Sequence, residues 1–137
     1  MIIKRDYYLQ QLISSKSNNL IKIVTGIRRS GKSFLLFNLF HNHLIETGIN
    51  EDHIIEIALD DRLNKNLRDP DVILQHIHER IIDDKLYYII LDEVQMIDEF
   101  TDVLNSLLHI RNADVYVTGS NSKFLSKDVV TEFRGRG

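Results

Sequence analysis

Gly26-Ile27-Arg28-Arg29-Ser30-Gly31-Lys32-Ser33, followed by Phe34, is the stretch that decides how this chain is read. It fits the phosphate-binding loop pattern of glycine, any four residues, glycine, lysine, and serine or threonine. The run before it, Leu20-Ile21-Lys22-Ile23-Val24, is short, apolar and β-branched, and reads as a buried strand. The run after it, Phe34-Leu35-Leu36-Phe37, opens a helix. Strand, glycine loop, helix is the context the pattern needs. Gly26 and Gly31 allow backbone torsions that a Cβ forbids. The loop amides can then turn inward as an anion-binding nest at the helix N-terminus, where the dipole also favours negative charge. Lys32 is placed to reach the β- and γ-phosphates of a nucleotide, and the Ser33 hydroxyl to ligate Mg²⁺.

A second signal lies downstream. Leu86 to Leu91 (LYYIIL) is continuously apolar, as a parallel strand buried on both faces should be, and it runs into Asp92-Glu93. An apolar strand ending in Asp suits a carboxylate that holds Mg²⁺ through water, and a Glu directly after it suits a group that polarises the attacking water. A polar strand end is the plainer alternative; the loop upstream argues against it. A third strand, Asp114 to Thr118, ends in Gly119-Ser120-Asn121. A polar residue there is positioned to touch a γ-phosphate or the lytic water, although Gly-Ser-Asn is also an ordinary turn.

Around these signals the chain reads as alternating helices and strands. The helix from Lys32 runs to about Thr47 and stops at Gly48, a C-cap glycine; it is apolar on several sides and should be covered by more than the sheet. His53 to Leu59 is a strand, and Asp60-Asp61 at its end reads as a solvated turn rather than as a pair ordering metal-bound water. Asp69-Pro70 starts a helix with Asp69 as N-cap and Pro70 in the first turn, and Ile73, Leu74, Ile77 and Ile81 form its apolar face. Phe100, Val103, Leu104, Leu107 and Leu108 mark another. His41 and His43, like His76 and His78, lie two apart on helices and point in different directions, which does not make a metal pair. Near the start, Asp6 caps a helix carrying Tyr7, Tyr8, Leu9, Leu12 and Ile13; the tyrosines suit core packing better than the border of a base.

Composition sets bounds. The chain has 137 residues, enough for one domain with a real core, with 43% hydrophobic and 27% charged residues. A net charge of -3 supplies no basic field to draw this domain to nucleic acid. With no cysteine, disulfides and thiolate chemistry are excluded and a reducing cytoplasm is the expected location. No run approaches membrane-spanning length, and Met1 to Asp6 lacks the apolar core of a signal peptide.

The stretches IIKRDYYLQQLI, IKIVTGIRRSGKS, YYIILDEVQ, DVYVTGSNSKFLS and TEFRGR together resemble an AAA-type ATPase of the additional-strand, catalytic-glutamate division, and more closely the AAA domain family 14 of bacteria and archaea. The resemblance implies that Lys32 and Ser33 bind phosphate and Mg²⁺, that Asp92 is the Mg²⁺ acidic residue and that Glu93 is the catalytic base. It implies that Asn121, beside Ser120, senses the γ-phosphate. Arg136 falls on a Gly-Arg pair typical of the family and would be a charge-stabilising arginine, in cis or across a subunit contact. Phe133 stands where leucine is usual. Family members continue past the Gly-Arg pair into a further strand and usually a C-terminal domain, so residues 1–137 are expected to be the N-terminal piece of a longer architecture, its last strand missing. Leu20 to Val24 would then be an edge strand with Lys22 as its one charged gatekeeper, open to edge-paired dimers or aggregation.

The expected fold is a three-layer α/β phosphate-loop NTPase domain with a mostly parallel sheet. By resemblance, the strand Asp114 to Thr118 lies between the phosphate-loop strand and the strand ending at Asp92. The expected function is Mg²⁺-dependent ATP hydrolysis to ADP and phosphate, coupled to a conformational change in a partner or C-terminal domain that the sequence does not name. A nucleotide-dependent binding switch with negligible turnover and a small-molecule phosphotransferase are the alternatives. There is no Asp-x-x-Gly on the acidic strand and no Asn-Lys-x-Asp for guanine, which argues against a GTPase. The late arginines are Arg111, Arg134 and Arg136, too few for an arginine-rich kinase lid.

Overall fold

The computed structural model describes residues 21–24, 35–119 and 130–133, the last segment as backbone. The phosphate loop Gly26 to Ser33 with Phe34, the N-terminal segment with Tyr7 and Tyr8, and Ser120, Asn121, Arg134 and Arg136 lie outside the described residues.

Among the described residues, five strands form one sheet: β1 (Ile21–Val24), β2 (Ile54–Ala58), β3 (Tyr87–Asp92), β4 (Ala113–Thr118) and β5 (Val130–Phe133). Their order is β2-β3-β4-β1-β5. The pairs β2–β3, β3–β4 and β4–β1 are all parallel. β4 therefore sits between β1 and β3, where the resemblance placed it. Each parallel step needs a crossover, and helices supply them. A π-helical turn, Leu35–Phe40, runs into α1 (His41–Glu46); α2 (Pro70–Arg80) links β2 to β3; α3 (Phe100–Leu107) links β3 to β4.

The strands are apolar on both sides because both sheet faces are buried. One face carries Ile21, Ile23, Ile55, Ile57, Ile89, Leu91, Val115 and Val117, packed against Ile73 and Ile77 of α2 and Val103, Leu104 and Leu107 of α3. The other carries Val24, Ile54, Tyr88, Ile90 and Tyr116, packed against Phe40 and Leu44 of the helix that follows the phosphate loop. Helix, sheet, helix gives the three layers expected. The helix signals hold in detail: the Asp69 carboxylate accepts from the amides of Asp71 and Val72, with Pro70 in the first turn of α2. Gly48, at φ 98°, takes the left-handed turn after α1 that a side chain would strain.

Two expectations change. β1 is not an open edge: it pairs with β4 on one side and antiparallel with β5 on the other, in the register Ile21 to Phe133 through Val24 to Val130. The segment just before the Gly-Arg pair fills the position reserved for a strand beyond it. Lys22 is not a solvent-facing gatekeeper either. It is fully buried, with its Nζ 2.5 Å from Asp114 Oδ1 and 4.8 Å from the centre of the Tyr116 ring. Tyr116 in turn donates its hydroxyl to Asp114 Oδ2 at 2.7 Å. On a strand flanked on both sides and covered on both faces, a lysine has no route to water and is held by a carboxylate instead.

Candidate functional site

The register brings the ends of the parallel strands level. Val24, the last residue of β1, lies opposite Thr118, the last of β4. Leu91 lies opposite Val117, so Asp92 sits level with Thr118 at the end of β3, and Asp92 pairs with Ala58 at the end of β2. In open α/β sheets this carboxyl edge is where ligands bind. β1 ends on it at Val24, and Asp92 and Glu93 stand on it two strands away.

Asp92 is 3% and Glu93 7% exposed. A buried carboxylate needs a donor, and Thr118 provides one. Its hydroxyl donates to Asp92 Oδ1 at 2.7 Å and accepts from the Glu93 amide at 2.7 Å. One side chain from β4 thus ties together both acidic residues of β3. The sequence reading missed this role, although a threonine closing an apolar strand is the signal that could have pointed to it.

Glu93 has left-handed torsions, φ 57° and ψ 56°. A non-glycine residue there costs about 1–2 kcal/mol, and such residues gather at functional sites. The turn takes the chain off β3 immediately after Asp92 and into the short 3₁₀ turn Val94–Met96, which buried Val94 anchors. The turn returns Gln95 toward Glu93, and the Gln95 amide donates to Glu93 Oε1 at 2.7 Å.

The end of β2 contributes structure rather than ligands. Asp61 accepts from the Leu63 amide and opens the next 3₁₀ segment, as a turn-forming residue should, while Asp60 is exposed. Asn64 donates to the Ala58 carbonyl and Arg68 to the Leu59 carbonyl, and the Leu59 amide donates to the Asp92 carbonyl. His41 bonds Glu56 at 2.7 Å and Glu51 at 3.1 Å, which ties α1 to β2. His41's partial burial works against its charge, but the two carboxylates outweigh that and hold it above the ordinary imidazole range.

A buried carboxylate steadied by a hydroxyl is a hard-oxygen donor set, the chemistry Mg²⁺ prefers. Asp92 therefore fits the acidic partner expected for that ion; Ser33, the other expected ligand, is outside the described residues. Among the described residues, no helix is long and apolar enough to cross a membrane.

A parallel sheet in the order seen here, with a phosphate-loop sequence after β1 and an acidic pair at the end of β3, defines a phosphate-loop nucleotide-binding domain. The family comparison is more specific: residues 18–137 match the AAA_14 family, described as an AAA domain, and the chain belongs to it. An AAA domain is a nucleotide-binding, ATPase-type domain. Similar proteins include an uncharacterised protein of Haemophilus influenzae, 34% identical over 98% of this chain and 34% of its own length. An uncharacterised protein of Methanocaldococcus jannaschii is 33% identical over 98% of this chain and 28% of its own. The chain thus spans about a third of the length of the curated relatives it matches.

Proposed function

We propose that this domain binds ATP with Mg²⁺ and hydrolyses it to ADP and phosphate, and that hydrolysis drives a conformational change in a partner or a following domain. Residues 1–137 would be the motor piece of a longer protein. The observation that carries the reading is the Thr118 hydroxyl joining the Asp92 carboxylate to the Glu93 amide, level with the strand that feeds the phosphate loop.

The roles follow from the motif residues and the family resemblance. The amides from Gly26 to Phe34 and the Lys32 ammonium bind the phosphates. Ser33 and Asp92 would hold Mg²⁺, which would supply charge neutralisation for the phosphates. Glu93 takes a proton from water as the water oxygen bonds to the γ-phosphorus and the bond from that phosphorus to the β–γ bridging oxygen breaks. The proton passes from Glu93 to solvent or product. Asn121 contacts the γ-phosphate, and Arg136 stabilises its charge in cis or from a neighbouring copy.

Glu93→Gln tests this. The amide keeps the shape and loses the basicity, so turnover should fall about 10²- to 10⁴-fold, the usual contribution of a general base, with ATP affinity by calorimetry unchanged. Hydrolysis at the wild-type rate would end the reading.

A further inference from the structure

Gln95 is two residues from Glu93 and belongs to neither of the two motifs that the hydrolytic reading uses. Its amide group is nonetheless committed. Nε2 donates to Glu93 Oε1 at 2.7 Å, while Oε1 of the same amide is buried with no hydrogen-bond partner. Leaving a buried acceptor unsatisfied is unfavourable. Turning the amide over would set its oxygen against the carboxylate. The orientation is therefore dictated by Glu93 and not by Gln95's own hydrogen-bonding needs. The backbone carries a second cost for the same arrangement, because the left-handed torsions of Glu93 begin the turn that returns Gln95. Two unfavourable local features converge on one contact.

We propose that Gln95 is a positioning residue for hydrolysis. Its amide holds the Glu93 carboxylate in one orientation relative to the attacking water, through a charge-assisted bond stronger than one between neutral groups. Gln95 itself exchanges no proton and touches no phosphate. The proposal rests on Glu93 being the base, and the experiment separates the two.

Single-turnover hydrolysis and ATP affinity are measured for wild type, Glu93→Gln, Gln95→Leu, the double variant and Gln95→Glu. Gln95→Leu should lower the rate about tenfold and leave ATP affinity within error, since the phosphate contacts are untouched while the base loses the donor that orients it. In the Glu93→Gln background, Gln95→Leu should change the residual rate less than about twofold, because residues that act through one another are not additive. Gln95→Glu adds a readout that packing alone would not move. It is nearly isosteric with Gln95 but sets an acceptor in place of the donor against Glu93 Oε1, so its rate should fall at least as far as that of Gln95→Leu. A wild-type rate for Gln95→Leu, an equal loss in both backgrounds, a fall in ATP affinity, or a wild-type rate for Gln95→Glu would each overturn the proposal. If Gln95→Leu does not fold, the single-turnover rate of Gln95→Glu decides. If Glu93→Gln hydrolyses normally, it is the hydrolytic reading that fails.

Discussion

Asp114→Ala is the substitution whose effect the structure sizes best. Asp114 is 3% exposed and faces Lys22, which is fully buried on β1, and Tyr116, which is fully buried on β4. Burial, reinforced by the Asp114 carboxylate, pushes the Tyr116 phenol far above the ordinary tyrosine range, so it stays protonated and donates. Removing the carboxylate leaves the Lys22 ammonium in the same enclosure without the charge that offsets its desolvation. Deleting one partner of a buried ion pair costs about 3–5 kcal/mol. At roughly 3–4 °C per kcal/mol, between the figures for smaller and larger domains, melting should fall by about 10–20 °C. Urea unfolding with an unchanged slope would give the free energy directly. The control removes the whole network: Lys22→Met, Asp114→Leu and Tyr116→Phe together should lie within about 2 kcal/mol of wild type, since well-packed apolar groups often replace a buried pair at little cost. A loss under about 1 kcal/mol for Asp114→Ala, the worth of an exposed pair, would refute the claim that this network is sealed from water.

Two further outcomes are expected. Thr118→Val keeps the shape of the side chain and deletes the hydroxyl that serves Asp92 and Glu93; stability should fall by about 1–3 kcal/mol, and Mg²⁺-dependent ATP affinity, read by calorimetry at several Mg²⁺ concentrations, should weaken. Because His41 is raised above 6.5, its bonds to Glu56 and Glu51 stabilise the fold fully below that value and lose their contribution as pH rises through the folded value. Glu56 is also raised, by burial against the opposing pull of His41, so its own contribution falls in the same direction over the range just above 4.5. Melting temperature should therefore drop between about pH 6 and 8 in the wild type, and His41→Gln should flatten that slope; an identical slope would exclude His41 as its source.

What could be read in the sequence was what is local. The apolar run into Asp92-Glu93, the cap at Asp69-Pro70 and the glycine ending α1 each declare themselves within a few residues, and the structure bears them out. The side chains that tie the sheet together could not be read that way. Lys22 and Asp114 are 92 positions apart, and nothing near either marks the pairing; a lone lysine in an apolar strand reads equally well as an edge charge. Thr118 reaches Asp92 across 26 positions. Gln95 is near in sequence, yet its contact exists because Glu93 adopts torsions that its residue type does not favour. Val130 to Phe133 is too short and too polar to declare a strand by pattern, and it becomes one by pairing with β1.

That pairing changes what the sheet asks of its edges. With β5 bonded along one side of β1 and β4 along the other, the strand that feeds the phosphate loop has its backbone bonds taken on both sides. Dimers through β1 would need one row of open amides and carbonyls along it, and both of its sides are paired. Among the described residues, the sheet's outer strands are β2 and β5. Each carries an acidic residue, Glu56 on β2 and Glu132 on β5, and charge on an edge strand discourages pairing with another chain. On β2 the charge is also engaged, since Glu56 bonds His41 of the helix that follows the phosphate loop. Exposure to association has thus moved from the strand that feeds the phosphate loop to strands farther from it. β1, β4 and β3, the strands that lead to the loop, Thr118, Asp92 and Glu93, occupy interior positions, where a displacement of one must strain ladders on two sides. For chemistry that depends on holding a base and a metal ligand in fixed relation to a phosphate loop, the interior of a parallel sheet is the stiffest place the fold offers.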